Sequence, residues 1–177
     1  MKTSPAKWIV QTALFVAILI IFQSLSAPLG QLVTGSLVNF VLIAATVLID
    51  TKSGIVVAAI SPIFAFLLGI GPKLPPLIPF IILGNLVLVV IWHLIIKKTP
   101  IKNQWLQYGT AAVIGAVCKF LVLFLTVTKC LLPYFLQLPA PQTKLITTMF
   151  SVPQLITALI GGIAATILLP MLQRVKK

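Results

Sequence analysis

A lysine stands in the middle of an apolar run, in the stretch GAVCKFLVLFL from Gly115 to Leu125. An amine inside a membrane helix costs a few kcal/mol even on the mildest insertion scales, so Lys119 requires a partner. The chemistry an amine offers is hydrogen bonding or ion pairing to an acceptor or anion. We therefore expect Lys119 to bind an acidic group of a ligand. A structural lysine, uncharged or bonded to backbone carbonyls, is the alternative.

Three amide side chains are predicted at a similar depth: Asn39 in TGSLVNF, Asn85 in ILGNLVL and Gln154 in SVPQLIT. The helical rise of about 1.5 Å per residue puts all three in the half of the membrane that also holds Lys119. Polar groups at such depth usually face the bundle interior or a water-filled cavity. We therefore expect a solute pocket. The alternatives are hydrogen bonding between helices for the asparagines, and repair of backbone groups freed by Pro153 for Gln154.

Catalytic chemistry is not expected. The sequence has no phosphate-binding G-x-x-x-x-G-K-[ST] loop, and its only acidic residue is Asp50. A single carboxylate cannot form a carboxylate pair for acid–base work or a carboxylate magnesium site, so no metal site is predicted. Asp50 is expected to cap the following helix or to pair with Lys52. The only histidine, His93, is interpreted as an interfacial residue rather than a catalytic base.

The composition is that of an integral membrane protein. The 177 residues are 60% hydrophobic and only 8% charged, against about a quarter charged in soluble domains. The mean hydropathy is +1.19. Lysine and arginine number 13 against the one acid, but they lie in short loops between apolar runs. That arrangement is typical of topology signals, and no basic domain exists to bind nucleic acid.

Six apolar segments predict an all-α membrane protein, a single domain over residues 1–177 with six transmembrane helices. The predicted spans are about 7–25, 33–49, 54–70, 77–96, 107–131 and 148–172. Nine cations fall on one side and three on the other: Lys2, Lys7, Lys52, Lys97, Lys98, Lys102, Arg174, Lys176 and Lys177 against Lys73, Lys129 and Lys144. The positive-inside rule then predicts that both termini are cytoplasmic and that the polar pocket opens outward.

The loops predicted to face outward are rich in proline: Pro28, Pro72, Pro75, Pro76, Pro79, Pro133, Pro139 and Pro141. Proline-stiffened loops favour a structured cap over the pocket, although prolines that only end helices are the alternative. The three tryptophans, Trp8, Trp92 and Trp105, are predicted near the inner boundary, where an aromatic belt is expected.

Several stretches together resemble the substrate-binding S component of energy-coupling factor (ECF) transporters. ALFVA places Ala13 and Ala17 four residues apart, like that family's A-x-x-x-A motif. The run from Thr34 to Pro72 resembles the second and third helices of S components for small vitamins. PFIILGN, GAVCKF and PQLITALIGG extend the resemblance over nearly the whole chain.

The resemblance implies a bacterial plasma-membrane subunit that binds a vitamin or precursor and docks on a membrane T subunit carrying two ATPases. It needs no cofactor, because its partners supply the energy. Ala13 and Ala17 would form the docking surface. The ligand pocket carries over to Gln31, Asn85, Lys119 and Gln154, with Thr34 and Asn39 beside them.

The subfamily likeness favours pyridoxine or hydroxymethylpyrimidine as the solute, whereas Lys119 favours an acidic group such as the pantothenate carboxylate. Aromatic stacking is expected from residues such as Phe40, Phe80 or Phe120, because no tryptophan is predicted in the pocket. A self-sufficient carrier and a non-transporting membrane scaffold are the alternative functions.

Overall fold

The computed structural model describes residues 4–175, and this part of the chain contains helices and no strands. Its helices are α1 Pro5–Ser26, α2 Gln31–Leu48, α3 Thr51–Leu67, α4 Ile78–Lys98, α5 Gln104–Leu123, α6 Leu132–Tyr134, α7 Ala140–Met149 and α8 Val152–Val175. A π-helical stretch, Phe124–Leu131, joins α5 to α6. Short 3₁₀ turns, Ala27–Leu29 and Pro75–Leu77, precede α2 and α4.

Polar caps begin three of the long helices. Ser4 Oγ accepts a hydrogen bond from the Lys7 backbone N–H at the start of α1. Asp50 accepts one from the Ser53 backbone N–H at 2.7 Å, so its predicted role as the cap of α3 is confirmed. Asn103 Oδ1 accepts from the first backbone N–H groups of α5. These side chains satisfy donors that the helix itself leaves unpaired.

Five helical stretches are long and apolar enough to cross a membrane: Pro5–Leu29, Gln31–Leu48, Pro75–Lys98, Gln104–Tyr134 and Ala140–Arg174. They correspond to five of the six predicted spans, so the protein is a multi-pass membrane protein. The remaining predicted span, 54–70, corresponds to α3, which has 17 residues and ends at Leu67. That length is below the ~20 residues of an ordinary crossing helix. Six crossings therefore remain a prediction.

The proline-rich stretch between the last two predicted spans contains a helix, because α7 begins at Ala140. Pro139 is the residue before the helix and Pro141 lies in its first turn. Proline is compatible with the first turn, where its missing N–H would have no helical partner. The last long helix accordingly begins at Val152 rather than at 148.

Glycines bring α8 close to its neighbours. A Cβ atom on Gly161 would lie 2.7 Å from Asn39 Cβ and 2.7 Å from the Ser36 carbonyl oxygen of α2. A Cβ atom on Gly162 would lie 2.7 Å from Ala112 Cβ of α5. Only a residue without a side chain allows such approach, so α8 packs tightly against both α2 and α5.

Hydrogen bonds show which helix ends lie together. At one end, which we call the basic end, Trp8 Nε1 donates to Asp50 Oδ1 at 3.2 Å, and Gln104 Nε2 donates to Gln173 Oε1 at 2.6 Å. At the other, the proline-loop end, Gln31 Nε2 donates to the Met149 carbonyl at 2.7 Å. The first two contacts pair the start of α1 with that of α3 and the start of α5 with the end of α8. Asp50 and Gln173 also line one small cavity, so the two pairs lie at the same end.

The basic end carries Lys7, Lys52, Lys97, Lys98, Lys102 and Arg174. Lys2, Lys176 and Lys177, which are also predicted on the cytoplasmic side, lie outside the described residues. The placement of this end in the cytoplasm remains a prediction.

Trp92, one of the three tryptophans expected in an aromatic belt, does not lie at the protein surface. Trp92 is fully buried in the main core and packs edge-on against Tyr108, with ring centroids 5.6 Å apart. Trp105 is 46% exposed, and Trp8 is half-buried. Depth along a helix can be read from sequence, but the helix face on which a tryptophan lies depends on how the helices pack.

Candidate functional site

Lys119 is buried between helices and is held by two asparagines. Its Nζ donates to Asn39 Oδ1 at 2.6 Å and to Asn85 Oδ1 at 2.7 Å. The three side chains are 3%, 1% and 2% exposed, respectively. Lys119 lies on α5, Asn39 on α2 and Asn85 on α4. The partners of the lysine are therefore side-chain amides, not the backbone carbonyls considered in the alternative.

The side-chain NH₂ groups of both asparagines also form hydrogen bonds. Asn39 Nδ2 donates to Thr157 Oγ1 at 3.4 Å, and Asn85 Nδ2 donates to the Ala58 carbonyl at 3.3 Å. The amide nitrogens thus have acceptors, which leaves the amide oxygens to face the lysine. This arrangement connects α2, α3, α4, α5 and α8 around one amine. The asparagines do form the interhelical hydrogen bonds predicted as their alternative role.

The amine of Lys119 has room for one more partner. An ammonium has three N–H donors, and a neutral amine has two donors and a lone pair. The two asparagine oxygens leave an ammonium with one N–H donor and would leave a neutral amine with its lone pair. Asp50, the sequence's one acidic side chain, caps α3 at the opposite end of the bundle. The carboxylate of Asp50 is therefore not positioned to complete the site.

Lys119 lies in the wall of a cavity of ≈ 140 Å³, which we call the deep cavity. Residues of α1, α2, α3, α4, α5 and α8 surround it, together with the loop before α4. Apolar side chains make up most of the wall. Its side chains with hydrogen-bonding groups are Gln23, Asn39, Ser61, Asn85, Lys119 and Gln154. The cavity thus combines one amine with uncharged donors and acceptors.

A second cavity of ≈ 350 Å³, the loop cavity, adjoins the deep cavity at the proline-loop end. The two share several wall residues, among them Gln23 and Gln154. Gln31 and Gln154 both donate to the Met149 carbonyl, at 2.7 and 3.2 Å. The volume lies within the ~300–1,000 Å³ of ordinary small-molecule sites.

The six residues predicted to bind substrate all lie in these walls. Asn39, Asn85 and Lys119 line the deep cavity, Gln31 and Thr34 line the loop cavity, and Gln154 lines both. Thr34 also accepts a hydrogen bond from Ser26 Oγ at 3.0 Å. The structure thus brings together residues from four helices, and their binding of a solute remains a prediction.

The aromatic residues in the walls differ from those expected. Phe66 lines the deep cavity and Phe150 the loop cavity, whereas Phe40, Phe80 and Phe120 line neither. Phe120 instead stacks on Phe124, with ring centroids 5.7 Å apart. Successive helical residues point about 100° apart, so Phe40 and Phe120 turn away from the faces of their neighbours Asn39 and Lys119.

Gln23 and Ser61 are wall residues that the sequence analysis missed. Gln23 is near the end of α1 and 2% exposed, and Ser61 is within α3 and 2% exposed. Gln23 was included in the first apolar span because a single amide hardly lowers its mean hydropathy. Its polar character inside a membrane segment was the available signal.

Ala13 and Ala17 are not part of the cavities. Both are exposed on the side of α1 that faces away from the bundle, beside the exposed apolar side chains of Val10, Leu14 and Ile21. Because alanine side chains are small, they form a shallow depression in an apolar surface of larger side chains. Their role in docking remains a prediction.

A multi-pass helical membrane protein with an amine and several amides around a cavity between its helices has the features of a solute-binding membrane subunit. The chain belongs to the family described as ECF transporter, substrate-specific component, which matches residues 7–173. The protein is therefore a substrate-binding subunit of a transporter and not an enzyme. No curated protein and no solved structure matches it.

Proposed function

We propose that the protein captures a small water-soluble vitamin or vitamin precursor in the joined deep and loop cavities. The observation that carries this proposal is the buried amine of Lys119, which two amide oxygens hold without a counter-ion from residues 4–175. A buried amine is costly unless its remaining position is filled. In the ammonium form that position is an N–H donor, and an acidic or strongly accepting group of the solute would accept from it.

The solute is of the pyridoxine, hydroxymethylpyrimidine or pantothenate type. The pantothenate carboxylate and the pyridoxine phenol both offer an acidic oxygen to Lys119, and hydroxymethylpyrimidine offers ring-nitrogen acceptors. The uncharged amides around the amine suit the hydroxyl groups of such molecules. Acidic wall residues, which would repel an anion, are not among those lining the two cavities.

Delivery of the solute depends on partners. The exposed Ala13–Ala17 face of α1 would dock on a membrane T subunit, because small side chains let helices approach closely. Two ATPases beneath it would supply energy. In this arrangement the proline-loop end faces outward, the basic end faces the cytoplasm of a bacterium, and α3 is the sixth crossing.

Native mass spectrometry of the full chain in detergent tests the capture step. Wild-type protein should carry a single small-molecule mass, either on purification or after incubation with the three solutes. Lys119→Ala should lose that mass, because a hydrogen bond to a charged group contributes about 1.5–3 kcal/mol. The matched control is Lys129→Ala. Lys129 is exposed and lies in the π-helical stretch after α5, so this variant should retain the bound mass. A wild-type protein that stays empty would overturn the proposal.

The docking step is tested by combining Ala13→Leu and Ala17→Leu. Cellular uptake should fall to background while solute binding by the purified variant stays unchanged. The control is Ala140→Leu. Ala140 is exposed at the start of α7, at the proline-loop end, so this variant should leave uptake intact. Uptake that persists in the double variant, or in cells without the ATPases, would contradict partner-dependent delivery and favour a self-sufficient carrier.

A further inference from the structure

Gln23, which lines both cavities, has an amide oxygen that receives no hydrogen bond from the described residues. Its Nε2 donates to the Ser61 carbonyl and to Ser61 Oγ, each at 3.2 Å. Its Oε1 is buried and receives no hydrogen bond from the residues that the structure describes. Such buried acceptors are rare in folded proteins and costly to leave unpaired.

The orientation of this amide is set by Ser61. A backbone carbonyl can only accept, so the Gln23 NH₂ group must face it. Turning the amide over would put two acceptor oxygens against each other and would leave the NH₂ group without its partners. The unpaired atom of Gln23 is therefore an acceptor, and its natural complement is an O–H or N–H group.

We propose that Gln23 determines specificity by accepting a hydrogen bond from a hydroxyl or amino group of the captured solute. This inference rests on the proposed function and narrows the class of solute. The solute has an acidic or accepting group that binds Lys119. Elsewhere on the molecule it has an O–H or N–H group that donates to Gln23 Oε1. A molecule without that hydrogen leaves the oxygen buried and unpaired, and the site discriminates against it.

Gln11 provides a matched control on the same helix. Its Oε1 is also buried without a partner among the described residues. It lies twelve residues earlier, roughly 18 Å along α1, and lines neither the deep nor the loop cavity. The two glutamines thus share residue type, helix and unpaired oxygen, and they differ in their access to the cavities.

The test measures dissociation constants for wild type, Gln23→Met and Gln11→Met in detergent. The probes are pyridoxine, hydroxymethylpyrimidine and pantothenate, each beside analogues in which one hydroxyl or amino group is replaced by hydrogen. Wild type should prefer a parent solute over one of its analogues by about 10-fold or more. Gln23→Met should reduce that preference to within about twofold of unity, and Gln11→Met should keep it.

Two results would overturn the role of Gln23 alone. One is a Gln23→Met protein that keeps the wild-type preference for every analogue. The other is a wild-type protein that binds parent and analogues equally, which needs no variant and so is independent of whether Gln23→Met folds. A wild-type protein that binds none of the three solutes overturns the proposed function itself, and this inference with it.

Discussion

The two ends of the bundle use polar side chains in different ways. Near the proline-loop end, Lys119, Asn39 and Asn85 are almost completely buried and pair between distant helices beside a cavity. At the basic end, Asp50 and His93 are only half-buried. Asp50 accepts from the Ser53 backbone N–H in the first turn of α3, and His93 Nδ1 pairs with Thr51 Oγ1 at the start of the same helix. Asp50 also accepts from Trp8 Nε1, which fastens α1 to the start of α3.

This difference separates structural polar groups from those that a ligand would explain. A half-buried capping side chain replaces the water molecules at a helix end with a hydrogen bond to the backbone, and this stabilises the helix. A fully buried amine with an open position destabilises the empty protein unless something else fills it. The first kind of residue needs no ligand to account for it, whereas the second does.

Among the substitutions that test this difference, Gly161→Ala is expected to have the largest effect on stability and solute binding. Its Cβ would lie 2.7 Å from Asn39 Cβ and 2.7 Å from the Ser36 carbonyl, so α2 and α8 must separate. We expect a loss of about 1–3 kcal/mol in the free energy of unfolding, measured by thermal denaturation in detergent, and weaker solute binding because Asn39 moves.

Gly109→Ala is the control for this substitution. Nothing lies within 4 Å of the position its Cβ would take, so this variant should be neutral or slightly more stable. Equal melting temperatures for the two alanine variants would contradict the close approach of α2 and α8.

Asn85→Leu compares the two ends directly. It removes one acceptor from the buried Lys119 and should cost about 1–3 kcal/mol in unfolding free energy. Gln107→Leu removes a half-buried amide at the basic end, which donates to the Ile95 and Ile96 carbonyls. Water can replace that donor, so we expect a smaller loss. If Gln107→Leu proved the more damaging, the polar groups of the two ends would not differ as described.

The smallest effect is expected at Asp50 and depends on pH. Burial by itself would raise the pKa of Asp50, but hydrogen bonds from Ser53 and Trp8 and the nearby Lys52 bring it below its usual 3.8. The stabilising contribution is therefore complete above that value and is lost as the pH falls through the lower pKa of the folded state.

Asp50→Asn should keep the helix cap but lose this pH dependence. Melting temperatures of wild type and Asp50→Asn, compared between neutral pH and pH values below 3.8, provide the measurement. Parallel curves for the two proteins would show that the ionised carboxylate adds nothing.

The sequence by itself determined the class of protein, most of the helices and the depth of the polar residues. These follow from local properties, because hydropathy and a constant rise per residue place each side chain along its own helix. The A-x-x-x-A motif and the apolar runs likewise allowed the resemblance to be recognised over most of the chain.

Only the tertiary structure decided which polar groups meet. Lys119 pairs with residues 80 and 34 positions away, and those pairings depend on how each helix is rotated and how closely it packs. The same rotations bury Trp92, turn Phe40 away from the cavities and bring Gln23 into their wall. Rotation and spacing arise from contacts between helices, such as Gly161 against α2, so no single segment of the sequence contains them.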